Sequence, residues 1–123
     1  MSKKKVVVIE DECDLAMMTQ ARLESSGYEV FVVSDGEEGV KKVQQELPSI
    51  VLLDIVMPKL DGHQVCTALK SDPSTKDIPI IILTASGKKD TEERCLDQGA
   101  DYFMRKPFDS QQLLEKIKEL TGE

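Results

Sequence analysis

The stretch I-V-L-L-D-I-V-M-P-K-L-D-G, residues 50–62, runs four consecutive apolar side chains into the carboxylate of Asp54 and then into a loop marked by Met57-Pro58 and Asp61-Gly62. Residues 50–53 lack the polar alternation of a strand with one wet face. They read as a strand covered on both sides, as in a parallel sheet between helices. Working outward, residues 6–9, 30–33 and 80–83 have the same unbroken Val, Ile, Leu and Phe character, and a shorter run spans 102–104. All five read as strands, the first four with both faces buried.

Helical period and punctuation fill the gaps between them. Asp35 precedes Val40, Val43 and Leu47 at i, i+3 and i+7, and Ser34 with Glu37 has capping-box spacing. Asp61 with Gln64 repeats that spacing before Val65 and Leu69, and Asp109 with Gln112 does so before Leu113, Ile117 and Leu120. Gly27 and Gly99 stand where the helices leading into the second and fifth strands should stop. In the first helix, Met18 should join Leu15 and Leu23 on the buried side. Residues 88–98 carry the thinnest apolar stripe, little more than Cys95 and Leu96, so that helix should be mostly solvated. The pattern is (βα)5, a doubly wound three-layer α/β fold with helices on both faces of a five-stranded parallel sheet.

The 123 residues, with 40% hydrophobic and 32% charged side chains, suit one globular domain spanning 1–123. No apolar run approaches the roughly 20 residues that cross a bilayer, and the chain start lacks a signal-like apolar segment, so no membrane role and a cytoplasmic location are expected. Cys13, Cys66 and Cys95 have neither zinc nor disulfide spacing and read as packed or incidental thiols. A formal net charge of −7 would repel phosphate backbones, which argues against direct nucleic-acid binding.

In an open parallel sheet, ligands bind beyond the carboxyl ends of the strands, where strand order reverses. Glu10 and Asp11 follow the first strand, Asp54 closes the third, Thr84 and Ala85 close the fourth, and Lys106-Pro107 closes the fifth. With the order 2-1-3-4-5, the first and third strands are neighbours, and three carboxylates share a pocket. At about 4 Å each like-charge pair costs roughly 1 kcal/mol in water and about 4 at an effective dielectric of 20, so a cation is needed. Mg²⁺, with Mn²⁺ as a substitute, prefers oxygen ligands of this kind beside a phosphate. Zinc is disfavoured, because the single histidine, His63, has no thiol pair beside it and is expected to be exposed and incidental. Phosphoryl transfer needs an attacking oxygen, a metal and further donors. Asp54 can attack, the Thr84 hydroxyl and Ala85 N–H can hold phosphoryl oxygens, and Lys106 can supply a second positive charge.

Four motifs in register, V-V-V-I-E-D-E (6–12), V-L-L-D-I-V-M-P-K-L-D-G (51–62), I-I-I-L-T-A-S (80–86) and G-A-D-Y-F-M-R-K-P-F (99–108), resemble the response-regulator receiver family, including its chemotaxis-regulator-like members. The resemblance covers nearly the whole chain. It implies a flavodoxin-like fold of strand order 2-1-3-4-5, with Asp54 as phosphoacceptor. It implies Asp11, Asp54 and the Val56 carbonyl as direct metal ligands, and Glu10 in their outer shell, where an Asp is frequent in the family. Lys106 would bridge the phosphoryl group and a carboxylate, with a cis bond to Pro107. Thr84 and Phe103 would form the switch, and Val56 and Ser86 would tune hydrolysis. The implied phosphodonor is a sensor histidine kinase or histidine phosphotransfer protein. The implied output surface is formed by residues 88–98, the fifth strand and the last helix, controlling a downstream protein or output domain. Homodimerisation on phosphorylation is left open. Such a domain catalyses its own phosphorylation and dephosphorylation and is not otherwise an enzyme.

Singly, these residues are ordinary: Glu10-Asp11-Glu12 as an acidic turn at a helix start, Thr84 as a strand end, Lys106 as a surface lysine, Phe103 as plain core. Their value lies in the set. Three rivals remain. In a haloacid-dehalogenase-type phosphatase, a second Asp should stand where Val56 does. In a flavin binder, the acidic loop 11–14 would repel the cofactor phosphate. The third is a receiver-like protein-binding module that is never phosphorylated.

Overall fold

The parallel sheet has the order β2-β1-β3-β4-β5, built from β1 (Lys5–Ile9), β2 (Glu29–Val33), β3 (Ile50–Asp54), β4 (Ile80–Thr84) and β5 (Tyr102–Arg105). Between and after these strands lie α1 (Cys13–Ser25), α2 (Gly36–Glu46), α3 (Gly62–Ser71) and α4 (Ser110–Thr121). The computed structural model describes residues 3–55, 62–84, 96–97, 99–106 and 108–122. Leu96 and Asp97 are helical, and Gly99, at φ 103°, donates its N–H to the Leu96 carbonyl as that turn ends. The rest of the helix expected over 88–98 lies outside the described residues.

Successive side chains of a strand point to opposite faces, and the sheet accordingly carries two cores. Val7, Ile9, Val51, Leu53, Ile80 and Ile82 pack with Val43 of α2 and Val65, Cys66 and Leu69 of α3. Val6, Val8, Ile50, Leu52, Ile81 and Leu83 pack with Leu23 of α1 and Leu113, Leu114 and Ile117 of α4. All five residues of β3 and of β4 are buried, so the unbroken apolar runs have the meaning expected of them there.

The second strand departs from that expectation. β2 is an edge strand and is only partly covered, with Val30 and Val33 buried, Phe31 half-buried and Val32 37% exposed. Lying at the sheet border, it keeps one stretch of its surface beyond the reach of the covering helices. Met18 is also corrected: α1 buries Ala16, Thr19 and Leu23, whereas Met18 is 70% exposed and Leu15 is half-buried. At about 100° per residue, Met18 lies roughly 130° around the helix from the centre of the buried stripe. Leu47 is 54% exposed rather than core. The following Pro48 disfavours a right-handed helical residue before it, and Leu47 caps α2 at φ 47° with its N–H still on the Val43 carbonyl. The cap at the other end of α2 is shifted by one residue: the Glu38 N–H donates to Asp35 Oδ1 at 2.8 Å, so Asp35, not Ser34, is the cap. Asp109 caps α4 as expected, accepting from the Gln111 N–H at 2.7 Å.

Gly62 closes the loop that follows β3. Its N–H donates to the Ile55 carbonyl at 2.8 Å, and a Cβ at this position would stand 2.6 Å from both the Asp54 carbonyl oxygen and the Ile55 Cα. The obstacles are main-chain atoms, which have no rotamer to give way. Gly62→Ala is therefore expected to lower unfolding free energy by about 1–3 kcal/mol, measured by urea denaturation; a midpoint equal to that of the parent would contradict the close approach.

Candidate functional site

The register of the sheet assembles the site. Ile9 pairs with both Val33 and Leu53, so the residues just past β1 lie beside the end of β3. The ladder continues one step, with the Glu10 N–H donating to the Val33 carbonyl at 3.0 Å. On the other side Asp54 pairs with Leu83 and Thr84 with Arg105, and the Lys106 N–H donates to the Thr84 carbonyl at 2.8 Å. Glu10, Asp11, Asp54, Thr84 and Lys106 thus line the carboxyl edge of four adjacent strands.

One carboxylate oxygen from each of Glu10, Asp11 and Asp54 lies within 4.8 Å of the others. Glu10, Asp54 and Thr84 are buried, while Asp11 is exposed to solvent. The Lys106 ammonium is 2.6 Å from Glu10 Oε1 and 3.5 Å from Asp54 Oδ2, and the second oxygen of Glu10, Oε2, accepts from the Glu12 N–H at 3.2 Å. Burial, which penalises the charged form, raises the Glu10 carboxyl above its ordinary value; neighbouring Asp54 adds to this, and Lys106 opposes it. For Lys106, burial alone would favour the neutral amine. Its hydrogen bond to Glu10 and the field of the two carboxylates outweigh that and raise it, which keeps the ammonium charged.

The cluster is a set of hard oxygen donors with more negative than positive charge, and neither thiol nor imidazole belongs to it among the described residues. That donor set fits a hard divalent cation such as Mg²⁺ and is poorly matched to zinc. Of the other expected site residues, Val56, Ala85, Ser86 and Pro107 lie outside the described residues. Phe103 is partly buried and packs against the core on the α2–α3 face.

His63 is buried, contrary to the expected exposure. The Gly62–Ile55 hydrogen bond draws the first turn of α3 onto the sheet and carries His63 inward with it. Cys66 is buried and its thiol is pushed up by desolvation, the mark of a packed, unreactive cysteine; Cys13 is exposed.

Asp101 was not singled out from the sequence, yet it pins the sheet behind the site. Its Oδ2 accepts from the Ile80 N–H at 2.9 Å and from Lys70 Nζ at 3.3 Å, and the same ammonium reaches the Ile78 carbonyl at 2.9 Å. The G-A-D sequence leading into β5 was the available signal. A second feature the sequence did not reveal is a groove of about 600 Å³ between α1 and α4, lined by Leu15, Met18, Phe108 and Leu113 and reaching Lys106.

Comparison with known proteins places this geometry. Residues 6–118 match the response regulator receiver domain family. The chain is 41% identical over 95% of its length to a ycf27 transcriptional regulator of Guillardia theta, covering 45% of that protein. It is 39% identical over 94% of its length to the alkaline phosphatase synthesis transcriptional regulatory protein PhoP of Bacillus subtilis, covering 47% of it. Among solved structures, the receiver domain of the sensor histidine kinase PA1611 of Pseudomonas aeruginosa, which has a magnesium ion coordinated in its active site cleft, superposes with a TM-score of 0.91 at 27% identity, covering 99% of this chain and 100% of that one. The fold is that of a receiver domain, and the chain belongs to the response-regulator receiver family of two-component signalling. It spans about half the length of the curated relatives it matches.

Lys106 is the half-buried counter-ion of this site, and its loss should be felt most where Glu10 is ionised. Because Glu10 is raised in the folded state, folding is least penalised below its ordinary 4.5 and loses stability as pH rises through the folded value. Lys106 moderates that loss. With chelator present, Lys106→Met should therefore destabilise by about 1–3 kcal/mol at pH 7 and by clearly less at pH 4, measured by thermal melts. An equal cost at both pH values would contradict the pairing.

Proposed function

We propose that Asp54 is the phosphoacceptor of a single receiver domain spanning 1–123, charged by a sensor histidine kinase or histidine phosphotransfer protein. The observation that carries this reading is the convergence of Glu10, Asp11 and Asp54 within 4.8 Å, with Lys106 and Thr84 on the adjoining strand ends. Asp11 and Asp54 would hold Mg²⁺ with the Val56 carbonyl, and Glu10 would support them from outside. Bound there, the cation would neutralise charge on the equatorial phosphoryl oxygens.

The chain's own residues carry the transfer. An Asp54 carboxylate oxygen attacks phosphorus, the P–N bond to the donor imidazole breaks, and its electron pair stays on the imidazole nitrogen, which is protonated. The product is an acyl phosphate on Asp54. Thr84, at the end of β4, and the Ala85 N–H bind its oxygens, and the Lys106 ammonium supplies the balancing charge. Hydrolysis reverses the charge state: water attacks phosphorus and the Asp54 carboxylate leaves with the bonding pair. On this account the domain catalyses only its own phosphorylation and dephosphorylation.

New contacts from Thr84 and Lys106 to the phosphoryl group exist in one state only, and that difference can bias a conformational equilibrium. Phe103 on β5 would follow Thr84, changing the surface formed by residues 88–98, β5 and α4 for a downstream protein or output domain. No helix among the described residues is long and apolar enough to cross a membrane, which fits the proposed cytoplasmic location.

Incubation with acetyl phosphate and Mg²⁺ should add one phosphoryl mass, labile to hydroxylamine, as measured by intact mass spectrometry. Asp54→Asn or a chelator should abolish it. If Asp54→Asn gained the same adduct as the parent, the assignment of the phosphoacceptor would be wrong.

A further inference from the structure

The apolar layers grip β3 and β4 on both faces but hold β5 less firmly. This strand has four residues, pairs with β4 alone and buries none of its side chains: Tyr102 and Arg105 are exposed, and Phe103 and Met104 are half-buried. Strand register is strongly specified where one face is buried and weakly where it is not. A slip of two residues would keep every side chain of β5 on its own face and carry Lys106, the residue just past the strand, about 6.6 Å along the sheet. The ammonium that now stands 3.5 Å from Asp54 Oδ2 would lose that position.

Asp101, immediately before β5, opposes the slip from the other end. Its N–H donates to the Ile80 carbonyl at 2.9 Å and its Oδ2 accepts from the Ile80 N–H at 2.9 Å, so one residue closes on both main-chain groups of the first residue of β4. Ile80 is fully buried, and its N–H has no water to turn to if the carboxylate leaves. The carboxylate is itself held. Lys70 of α3 divides its three donors among Asp101 Oδ2 at 3.3 Å, the Ile78 carbonyl at 2.9 Å and the Lys76 carbonyl at 3.1 Å. Its stem lies against Gly99, where a Cβ would stand 2.9 Å from Lys70 Cγ.

Resting on the proposed function, we infer that Asp101 and Lys70 are positioning residues for phosphoryl transfer: they lock the start of β5 onto Ile80, and the strand transmits that register to Lys106 at its other end. Their partners lie at the amino end of β4, whereas the site lies at its carboxyl end. The lock therefore acts on the reaction only through where Lys106 stands.

The test is a double-mutant cycle on the maximal rate of phosphorylation by acetyl phosphate with saturating Mg²⁺, followed by intact mass, with circular dichroism melts confirming that each variant is folded at the assay temperature. Asp101→Ala should slow the parent by about tenfold, the scale of a small misplacement of a group that acts on the reacting atoms. In a Lys106→Met background the same change should alter the rate by less than about twofold, because the residue being positioned is gone. Asp101→Asn, which keeps an oxygen for the Ile80 N–H, should recover the rate to within about threefold of the parent. Lys70→Met, which leaves the Ile80 contacts intact and frees only the carboxylate, should cost about as little. Equal slowing by Asp101→Ala in both backgrounds, or a parent rate in Asp101→Ala, would overturn the positioning role. A parent chain that gains no adduct would instead overturn the proposed function, and this inference with it.

Discussion

Three carboxylates held at one edge of a buried sheet are the constraint on which the rest of this structure depends. Glu10 and Asp54 are buried and Asp11 lies beside them, so their mutual repulsion is felt in a medium far less forgiving than water. Nothing in the apolar layers can relieve it. The strand order can, because placing β3 next to β1 and β4 next to β3 lets β5 bring one ammonium to the cluster from the far side. The remaining negative charge suits the site to a hard divalent cation. The two hydrophobic cores fix the register that makes this arrangement reproducible.

Most of the architecture is legible in the sequence because a strand buried on both faces has no room for polar alternation. Residues 50–53 and 80–83 become the fully buried β3 and β4 for that reason. The same reasoning misjudges residues 30–33. Burial at an edge depends on which strand lies beyond it, and V-F-V-V gives no sign that β2 has none. The first helix fails differently. Met17 and Met18 are more apolar than Thr19, yet the helix turns Ala16, Thr19 and Leu23 inward and leaves both methionines exposed. Packing space between α1 and the sheet decided that outcome, and it is not written in hydropathy.

The site is legible to the level of residue type. Carboxylates, a threonine and a lysine placed just past apolar strands must meet at the carboxyl edge once the strand order is known, and Glu10, Asp54, Thr84 and Lys106 do. Which carboxylate the lysine rests on depends on side-chain length and on where two backbones are anchored, so the preference for Glu10 emerges only from the assembled structure. His63 shows the same limit: its burial follows from a main-chain contact of Gly62 that no spacing rule encodes. Asp101, whose single carboxylate oxygen serves both a strand N–H and Lys70, was hidden because its two partners come from distant parts of the chain.

The central claim is that the carboxylate closing β3 becomes the acyl phosphate. Borohydride reduction of the phosphorylated chain, followed by peptide mass mapping, tests it most directly, because hydride converts an aspartyl phosphate to homoserine and leaves free carboxylates unchanged. The account predicts conversion at Asp54 alone, in material treated with both phosphodonor and Mg²⁺. Conversion at Glu10, Asp11 or elsewhere, with Asp54 intact, would contradict it.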